Sequence, residues 1–249
     1  MEWAFLSPHF DDAVLSCGGY IYERIQAGDQ VEIWTICAGY PPPGPFSPLA
    51  EALHLRWETG GDAVAARRQE DRAACRVLGA RAHPLDIPDC IYRHDPLTGQ
   101  PLIKENEDLF QPLLEVEIPL VHQLANLLAA GLTEDTLLVC PLTLGNHIDH
   151  HLTRTAAEIL SRPIWYYADY PYLIQGNNDL AAYIQSEWIA VEQLVSPAGL
   201  AAWQAAVAAH SSQISTFWGS LSEMRDAISD YWQNGGGSRL WGGSNLPVR

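Results

Sequence analysis

The stretch Trp3-Ala4-Phe5-Leu6-Ser7-Pro8-His9-Phe10-Asp11-Asp12 (residues 3–12) joins an apolar run directly to a cluster of potential metal ligands. Its first four residues show no polar alternation, which is typical of a strand buried on both faces of a parallel sheet. A helix is expected from about Asp12 to Ala27, because Gly28 follows as a stop signal. Val31 to Cys37 then reads as a second strand, so the chain is predicted to open with a βαβ unit.

The next part of the chain continues this alternation of helices and strands. Helices are predicted at about Asp62–Leu78 and Leu113–Ala130, and strands near Pro84–Ile87, at Thr136–Cys140 and at Ile164–Tyr167. Pro41 to Pro45 can continue neither element and is expected to form a loop. The alternation favours an α/β fold with a doubly wound, mostly parallel sheet flanked by helices.

The C-terminal third is rich in alanine and tryptophan and reads as a helical part. Helices are expected near Glu187–His210 and Ser222–Trp232, and the glycine-rich tail Gly235–Arg249 is expected to be loose. No linker is sharp enough to separate a second domain. We therefore predict a single domain, with a core at about 3–175 and a helical C-terminal extension at about 176–234.

Composition excludes several classes of function. The 249 residues carry 14 Lys+Arg against 30 Asp+Glu, a formal charge of −16, so a nucleic-acid partner is not expected. The five cysteines are odd in number and lie mostly in apolar runs, which suits a reducing compartment. The start shows no signal-peptide pattern, and no apolar run approaches the roughly 20 residues of a membrane span. We predict a soluble cytoplasmic protein without membrane insertion.

A second polar cluster, His147-Ile148-Asp149-His150-His151, follows the predicted strand at 136–140. Ligands of doubly wound sheets bind outside the carboxyl ends of the strands, so this cluster and residues 9–12 are expected to form one site. Imidazole and carboxylate are ligands of Zn²⁺, and a catalytic zinc typically has three protein ligands and one open position. His9 and Asp12 are three residues apart and can converge on one point, as can His147 and His150. Asp11 is expected to stay off the metal but within reach of its water.

These residues resemble those of a known family. Pro8-His9-x-Asp11-Asp12, Arg67-x-x-Glu70 followed by Leu78-Gly79, and His147-x-Asp149-His150 are similar to motifs of the PIG-L/LmbE-like zinc-dependent N-deacetylases. The resemblance spans roughly residues 3 to 175. It implies a Rossmann-like fold without a dinucleotide motif, and a zinc-dependent hydrolase that removes the acetyl group from a small-molecule amino sugar of the N-acetylglucosamine type.

The resemblance also implies roles for individual residues. His9, Asp12 and His150 would hold the zinc, and Asp11 would be the general base. A protonated His147 would stabilise the oxyanion or donate to the leaving amine, with Asp149 orienting it. Three further residues would lie near the substrate, namely Arg67, Asp89 and Asp169, the last in the aromatic segment Tyr166–Tyr172.

Departures from the family pattern leave alternatives open. Phe10, Ala13 and Ile148 replace residues that the family usually has beside the site, so another amide or ester in a secondary metabolite is a second reading. A non-catalytic binding module with a structural metal is a third. Fe²⁺, Co²⁺ and Mn²⁺ suit the same ligands. A homo-oligomer is also allowed.

The substrate-contact residues have alternative readings of their own. Arg67 and Glu70 could form a surface ion pair. Asp89 could belong to an ordinary turn, and Asp169 could be a polar group in a packed aromatic segment.

Overall fold

The computed structural model describes residues 1–59, 62–175 and 179–243, which form one mixed sheet with helices on both faces. The strands in chain order are β1 (Glu2–Ser7), β2 (Gln30–Thr35), β3 (Arg81–Pro84), β4 (Leu137–Pro141), β5 (Ile164–Tyr167), β6 (Trp188–Glu192) and β7 (Arg239–Gly243). The α-helices are α1 (Asp12–Gln26), α2 (Pro48–Trp57), α3 (Ala63–Leu78), α4 (Ile118–Gly131), α5 (Ile148–Ile159), α6 (Pro197–Ala209), α7 (Ser211–Phe217) and α8 (Leu221–Gln233).

The order of strands in the sheet, β3-β2-β1-β4-β5-β7-β6, places the topological switch between β1 and β4. All pairs among β1 to β5 are parallel, whereas β7 is antiparallel to both β5 and β6. The predicted α/β fold with a mostly parallel, doubly wound sheet is therefore confirmed. β1 and β4 pair from Trp3 opposite Leu137 to Phe5 opposite Val139. Their carboxyl ends, and the two polar clusters that follow them, are therefore neighbours.

Two hydrophobic cores cover the two faces of the sheet. One contains buried residues of α1, α3, α6 and α8, and the other contains those of α4 and α5. In the first core, fully buried Trp203 donates from Nε1 to the carbonyl oxygen of Val14 at 2.7 Å. A Cβ at Gly18 would lie only 2.4 Å from this indole ring, so the glycine is required by the close approach of α6. Helix α1 is kinked at the preceding Cys17, which has φ −149° and ψ 29°.

Several predicted elements in the edges and the C-terminal third were wrong. The third strand lies at Arg81–Pro84 rather than 84–87, because it is the exposed edge of the sheet and lacks an apolar run. The predicted helix 187–210 is strand β6 followed by α6, which begins at a Ser196-Pro197 cap. The extension at 176–234 is thus not wholly helical.

The predicted tail also differs, because β7 pairs between β5 and β6, while residues 244–249 lie outside the described part of the chain. Two helices, α2 and α7, were not predicted. The predicted helix 113–130 begins only at Ile118. In the described ranges, no helix has the length and apolar character that a membrane crossing requires.

Candidate metal centre

Three side chains from the two strand ends converge on one point. The Asp12 Oδ2 atom lies 3.0 Å from His9 Nδ1 and 3.4 Å from His150 Nε2. Ligand atoms held about 2.0–2.1 Å from a tetrahedral ion would be roughly 3.3 Å apart, so this spacing fits a single cation. His147 is close as well, because one ring nitrogen from each of His9, His147 and His150 lies within 4.8 Å of the others.

His150 is oriented for a ligand that the protein does not supply. Its Nδ1 atom lies 2.6 Å from Asp169 Oδ1, which fixes the proton on Nδ1 and leaves a lone pair on Nε2. The side chain is 0% exposed, and Nε2 makes no directed hydrogen bond with the described residues. A buried acceptor without a partner is costly, whereas a divalent cation in contact with Nε2 would satisfy it. The arrangement suits a divalent metal.

The carboxylate of Asp149 holds the His9 ring in position. The Asp149 Oδ2 atom lies 3.1 Å from His9 Nε2, which leaves His9 Nδ1 facing Asp12. Asp149 is itself fixed by the backbone N–H of Cys90 at 3.0 Å and by Arg93 Nη2 at 2.5 Å. Histidine ligands of metals commonly donate their other ring N–H to a carboxylate in this way.

The contacts of Asp149 correct one expected role. Its carboxylate was expected to orient His147, but its hydrogen bonds join it to His9 after the first strand and to the loop after β3 instead. Only the backbone N–H of Asp149 reaches His147, donating to Nδ1 at 3.2 Å. In neutral His147 the proton is therefore on Nε2. The reason is geometric, since Asp149 lies in the first turn of α5 and its carboxylate is directed across the switch point.

Asp169 is not a cavity residue, contrary to the prediction that it contacts substrate. The residue is 1% exposed. One carboxylate oxygen accepts from His150, and the other accepts from the backbone N–H of Leu144 at 3.1 Å. Because both oxygens are engaged inside the protein, Asp169 can act on the site only through His150.

The charges of the site shift the pKa values of its members. Without a metal, burial alone would lower the pKa of His150, but the neighbouring carboxylates of Asp12 and Asp169 raise it to about 9, so a metal that binds Nε2 would displace a proton. Burial opposes ionisation of Asp12, yet His150 and His9 hold its pKa well below the ordinary value. Burial raises the pKa of Asp11 even though Arg67 is nearby. Burial together with His9 and His150 lowers the pKa of His147 well below its usual range.

Arg67 and Asp89 both line the cavity in front of these residues. Arg67 Nη2 lies 3.4 Å from Asp11 Oδ1, and its guanidinium carbon is 4.6 Å from the Trp57 ring centroid and 5.1 Å from that of Phe10. Such aromatic contacts hold a guanidinium in place. Asp89 also stabilises a turn, because its Oδ1 atom accepts a hydrogen bond from the backbone N–H of Ile91 at 3.1 Å.

Glu70 does not pair with Arg67, which removes the surface ion-pair reading. Its carboxylate accepts three hydrogen bonds at the start of α7: from Ser211 Oγ, Ser212 N and Ser212 Oγ, at 2.6, 2.8 and 2.6 Å. The two residues of this motif therefore have different tasks. Arg67 faces the cavity, and Glu70 fixes the helix that forms one of its walls.

The cavity has a volume of about 240 Å³, and most of its wall was not predicted from the sequence. The added wall residues come from α2, from the segment 106–110 and from α7, namely Leu53, Arg56, Trp57, Asn106, Leu109, Phe110, Gln213, Thr216 and Phe217. No local sequence pattern identifies these positions, because the residues share only their location in the fold, around the carboxyl ends of β1 and β4. The capping pair Ser47-Pro48 could have revealed the start of α2.

Comparison with known proteins identifies a family and similar deacetylases. A family model described as PIG-L, GlcNAc-PI de-N-acetylase, matches residues 4–160. Over 214 residues the chain is 31% identical to 2'-N-acetylparomamine deacetylase of Niallia circulans. The alignment covers 76% of this chain and 72% of that protein.

Two solved structures are similar over nearly the whole chain. One is the zinc-inhibited form of teicoplanin deacetylase Orf2, with 26% identity, a TM-score of 0.78 and coverage of 99% of this chain and 100% of that one. The other is a deacetylase–teicoplanin complex, with 28% identity, a TM-score of 0.79 and 97% of each chain covered.

Proposed function

The chain belongs to the PIG-L family of GlcNAc-PI de-N-acetylases, and on this basis we propose that it is a zinc-dependent deacetylase of an N-acetylglucosamine-type sugar conjugate. The reaction would release acetate and a free amine. The observation that carries the proposal is the unpartnered Nε2 of His150, directed toward Asp12 beside the open cavity. Membership of this family and the cavity support an enzyme that acts on a small molecule.

His9, Asp12 and His150 would hold the metal. A bound zinc ion lowers the pKa of its water from 15.7 to about 7 and polarises a carbonyl oxygen. The relative crystallised in a zinc-inhibited form supports an affinity for zinc in proteins of this type. Fe²⁺, Co²⁺ and Mn²⁺ are alternatives for the same ligand set.

Asp11 would be the general base. It lies beside Asp12 in the cavity, and burial raises its pKa toward the range in which a carboxylate can accept a proton and return it. As water adds to the acetamide carbon, its proton passes to Asp11. The same proton then goes to the amine nitrogen as the carbon–nitrogen bond breaks. Arg67 limits the movement of Asp11 through its contact with Oδ1.

His147 would stabilise the oxyanion from its neutral form. The backbone N–H of Asp149 occupies Nδ1, so Nε2 carries a proton that can be donated to the carbonyl oxygen. The lowered pKa of His147 favours this neutral donor over the protonated imidazole expected from the sequence. Oxyanion stabilisation is therefore the proposed role, and proton delivery to the amine is left to Asp11.

The open cavity argues against a purely structural metal. Structural zinc sites are closed by four protein ligands, whereas here Asp11 and His147 face a cavity beside three candidate ligands. The five cysteines are all free, which agrees with the proposed cytoplasmic location. Association into a homo-oligomer stays a prediction.

The test compares the zinc-loaded protein with its Asp11→Asn variant on methyl 2-acetamido-2-deoxy-β-D-glucopyranoside, with the free amine as the readout. We expect the variant to keep its metal content and to lose about 10²- to 10⁴-fold in kcat. Asp226→Asn, at an exposed position of α8, is the matched control and should behave as the parent protein. Near-normal turnover by metal-loaded Asp11→Asn would contradict the assignment of the base.

A further inference from the structure

A second carboxyl group lies one helical turn behind Arg67. Asp71 is four residues after Arg67 on α3, so the two side chains are on the same face of the helix. Arg67 lines the cavity, whereas Asp71 does not and is 0% exposed. The Oδ1 atom of Asp71 accepts a hydrogen bond from Thr35 Oγ1, at the carboxyl end of β2, at 3.4 Å. The Asp71 carboxyl group is therefore buried next to Arg67 but out of reach of a substrate.

Arg67 and Asp71 each have a buried polar atom without a hydrogen bond. Among the described residues, neither Arg67 Nε nor Asp71 Oδ2 has a hydrogen-bond partner. Helical side chains point toward the amino end of their helix, so Asp71 extends back toward the side chain of Arg67. Two buried groups that lack partners are costly, because each has lost its hydration. A small shift of the guanidinium toward Asp71 would satisfy both.

Arg67 is only loosely paired with its other carboxylate neighbour. Its Nη2 atom lies 3.4 Å from Asp11 Oδ1, whereas a charge-assisted hydrogen bond between a guanidinium and a carboxylate is typically about 2.7–2.9 Å long. The rings of Phe10 and Trp57 pack on the guanidinium but do not neutralise its charge. The cation is thus shared by two carboxyl groups, one at the cavity and one behind it.

Electrostatic interactions connect these groups. Burial raises the pKa of Asp71 to about 7; the Thr35 hydrogen bond and Arg67 oppose this shift, and Asp11 adds to it. At pH 8 most Asp71 side chains are therefore ionised. His210 is close enough to interact with Arg67 but brings no charge, because burial and Arg67 lower its pKa to about 3. Above neutral pH, Asp71 can therefore attract the guanidinium against the pull of Asp11.

We propose that Asp71 is a positioning residue for the deacetylation and acts through Arg67. Its carboxylate holds the guanidinium back from Asp11, which leaves the Asp11 oxygen free to accept the proton of the attacking water. A guanidinium drawn fully onto Asp11 would compete with the water for that oxygen through a charge-assisted hydrogen bond. The inference rests on the proposed function, because it concerns the surroundings of the proposed base.

The experiment compares the zinc-loaded parent protein with Asp71→Asn at pH 8 on methyl 2-acetamido-2-deoxy-β-D-glucopyranoside. Asparagine keeps the shape of the side chain and removes its charge. We expect kcat to fall about 5- to 50-fold and KM to stay within about twofold, because the change affects the base and not substrate binding. Zinc content should be unchanged, and urea unfolding should show a variant no less stable than the parent, since a buried carboxylate has been removed.

The matched control is Asp29→Asn. It also removes a hydrogen-bonded carboxylate, but one that accepts from Trp3 and Arg24 near the amino end of β1, far from the cavity. We expect its kcat and KM to equal those of the parent protein.

A double-mutant cycle separates positioning from a structural role. Arg67→Met removes the guanidinium and keeps a long apolar side chain against the rings of Phe10 and Trp57. In this background Asp71→Asn should change kcat by less than about twofold, because the group through which Asp71 acts is gone. A merely structural role would reduce kcat by the same factor in both backgrounds.

Crystal structures of the parent protein and Asp71→Asn give a readout that does not depend on activity. In the variant, Arg67 Nη2 should move from 3.4 Å to about 2.7–2.9 Å from Asp11 Oδ1. An unchanged distance would overturn the proposal, even if Arg67→Met were too slow to assay.

The kinetic outcomes keep this inference apart from the proposed function. No amine release by the zinc-loaded parent protein would count against the function itself, and the positioning role would fall with it. Amine release by the parent protein, with kcat of Asp71→Asn within about twofold, would leave the function standing and overturn the positioning role. An equal loss of kcat with and without Arg67 would also overturn it, because Asp71 would then act by another route.

Discussion

Replacing Asp169 with alanine is expected to weaken the binding of a metal that Asp169 itself would not contact. Its Oδ1 atom lies 2.6 Å from His150 Nδ1, and this contact holds the imidazole with Nε2 directed toward Asp12. Without the carboxylate the ring can rotate or change tautomer, and the basicity of Nε2 falls. Asparagine retains one carbonyl oxygen, which can serve either His150 or the backbone N–H of Leu144 but not both, so it should be intermediate.

The magnitude follows from these contacts. Loss of a carboxylate that supports a metal-bound histidine typically costs 10- to 100-fold in metal affinity. This corresponds to about 1.4–2.7 kcal/mol at 25 °C. A separate cost of about 1–3 kcal/mol in the free energy of unfolding is expected, because the buried N–H of Leu144 loses its acceptor in the alanine variant.

The assay is competition for Zn²⁺ between metal-free protein and a chromophoric chelator, followed by urea unfolding of the same samples. Asp29→Asn is the control, because it also removes a hydrogen-bonded carboxylate, one that accepts from Trp3 and Arg24 near the amino end of β1. It should leave zinc affinity unchanged. Zinc affinity of Asp169→Ala within about threefold of the parent would refute the role assigned to Asp169.

Three further predictions concern buried groups. Arg93→Gln should lower the free energy of unfolding by about 3–5 kcal/mol in urea titrations, because it removes the guanidinium that pairs with the buried carboxylates of Glu117 and Asp149. Burial raises the pKa of Asp71 to about 7. The folded state therefore retains a proton that the unfolded state releases near pH 4, and the free energy of unfolding falls as the pH rises from about 4 to about 7. Asp71→Asn should therefore stabilise the protein more at pH 8 than at pH 5, by up to about 3 kcal/mol, and equal effects would contradict the shift. Gly18→Ala should lower the thermal midpoint, because its Cβ meets Trp203.

The strands β1, β2, β4 and β5 were predictable from the sequence, but β3, β6 and β7 were not. β1, β4 and β5 read as uninterrupted apolar runs because both their faces are covered by helices. β3 at one edge and β6 at the other are partly exposed, so their sequences alternate weakly and resemble loop or helix. β7 contains Gly242 and Gly243, and its strand conformation depends on pairing with β5 and β6 rather than on local propensity.

The candidate ligands could be recognised because their spacing is local, whereas their supporting contacts are distant in sequence. His9 and Asp12 are three residues apart, but His9 and Asp149 are separated by 140. A periodic sequence pattern cannot reveal a contact between residues so far apart in the chain. The same limit explains why Asp169 was placed at the substrate.

Phe10 shows how a departure from the family motif can be accommodated by a distant helix. Phe10 departs from the family pattern described above, and its ring is 2% exposed and packs against the guanidinium of Arg67. Trp57 of α2 also packs on that guanidinium, so two aromatic rings hold the cation that contacts Asp11. A change at Phe10 would therefore alter the position of Arg67 and, through Trp57, the cavity wall. Arg67 contacts both the proposed base Asp11 and the wall residue Trp57. A substitution in the motif at Phe10 is therefore expected to occur together with substitutions in the cavity wall.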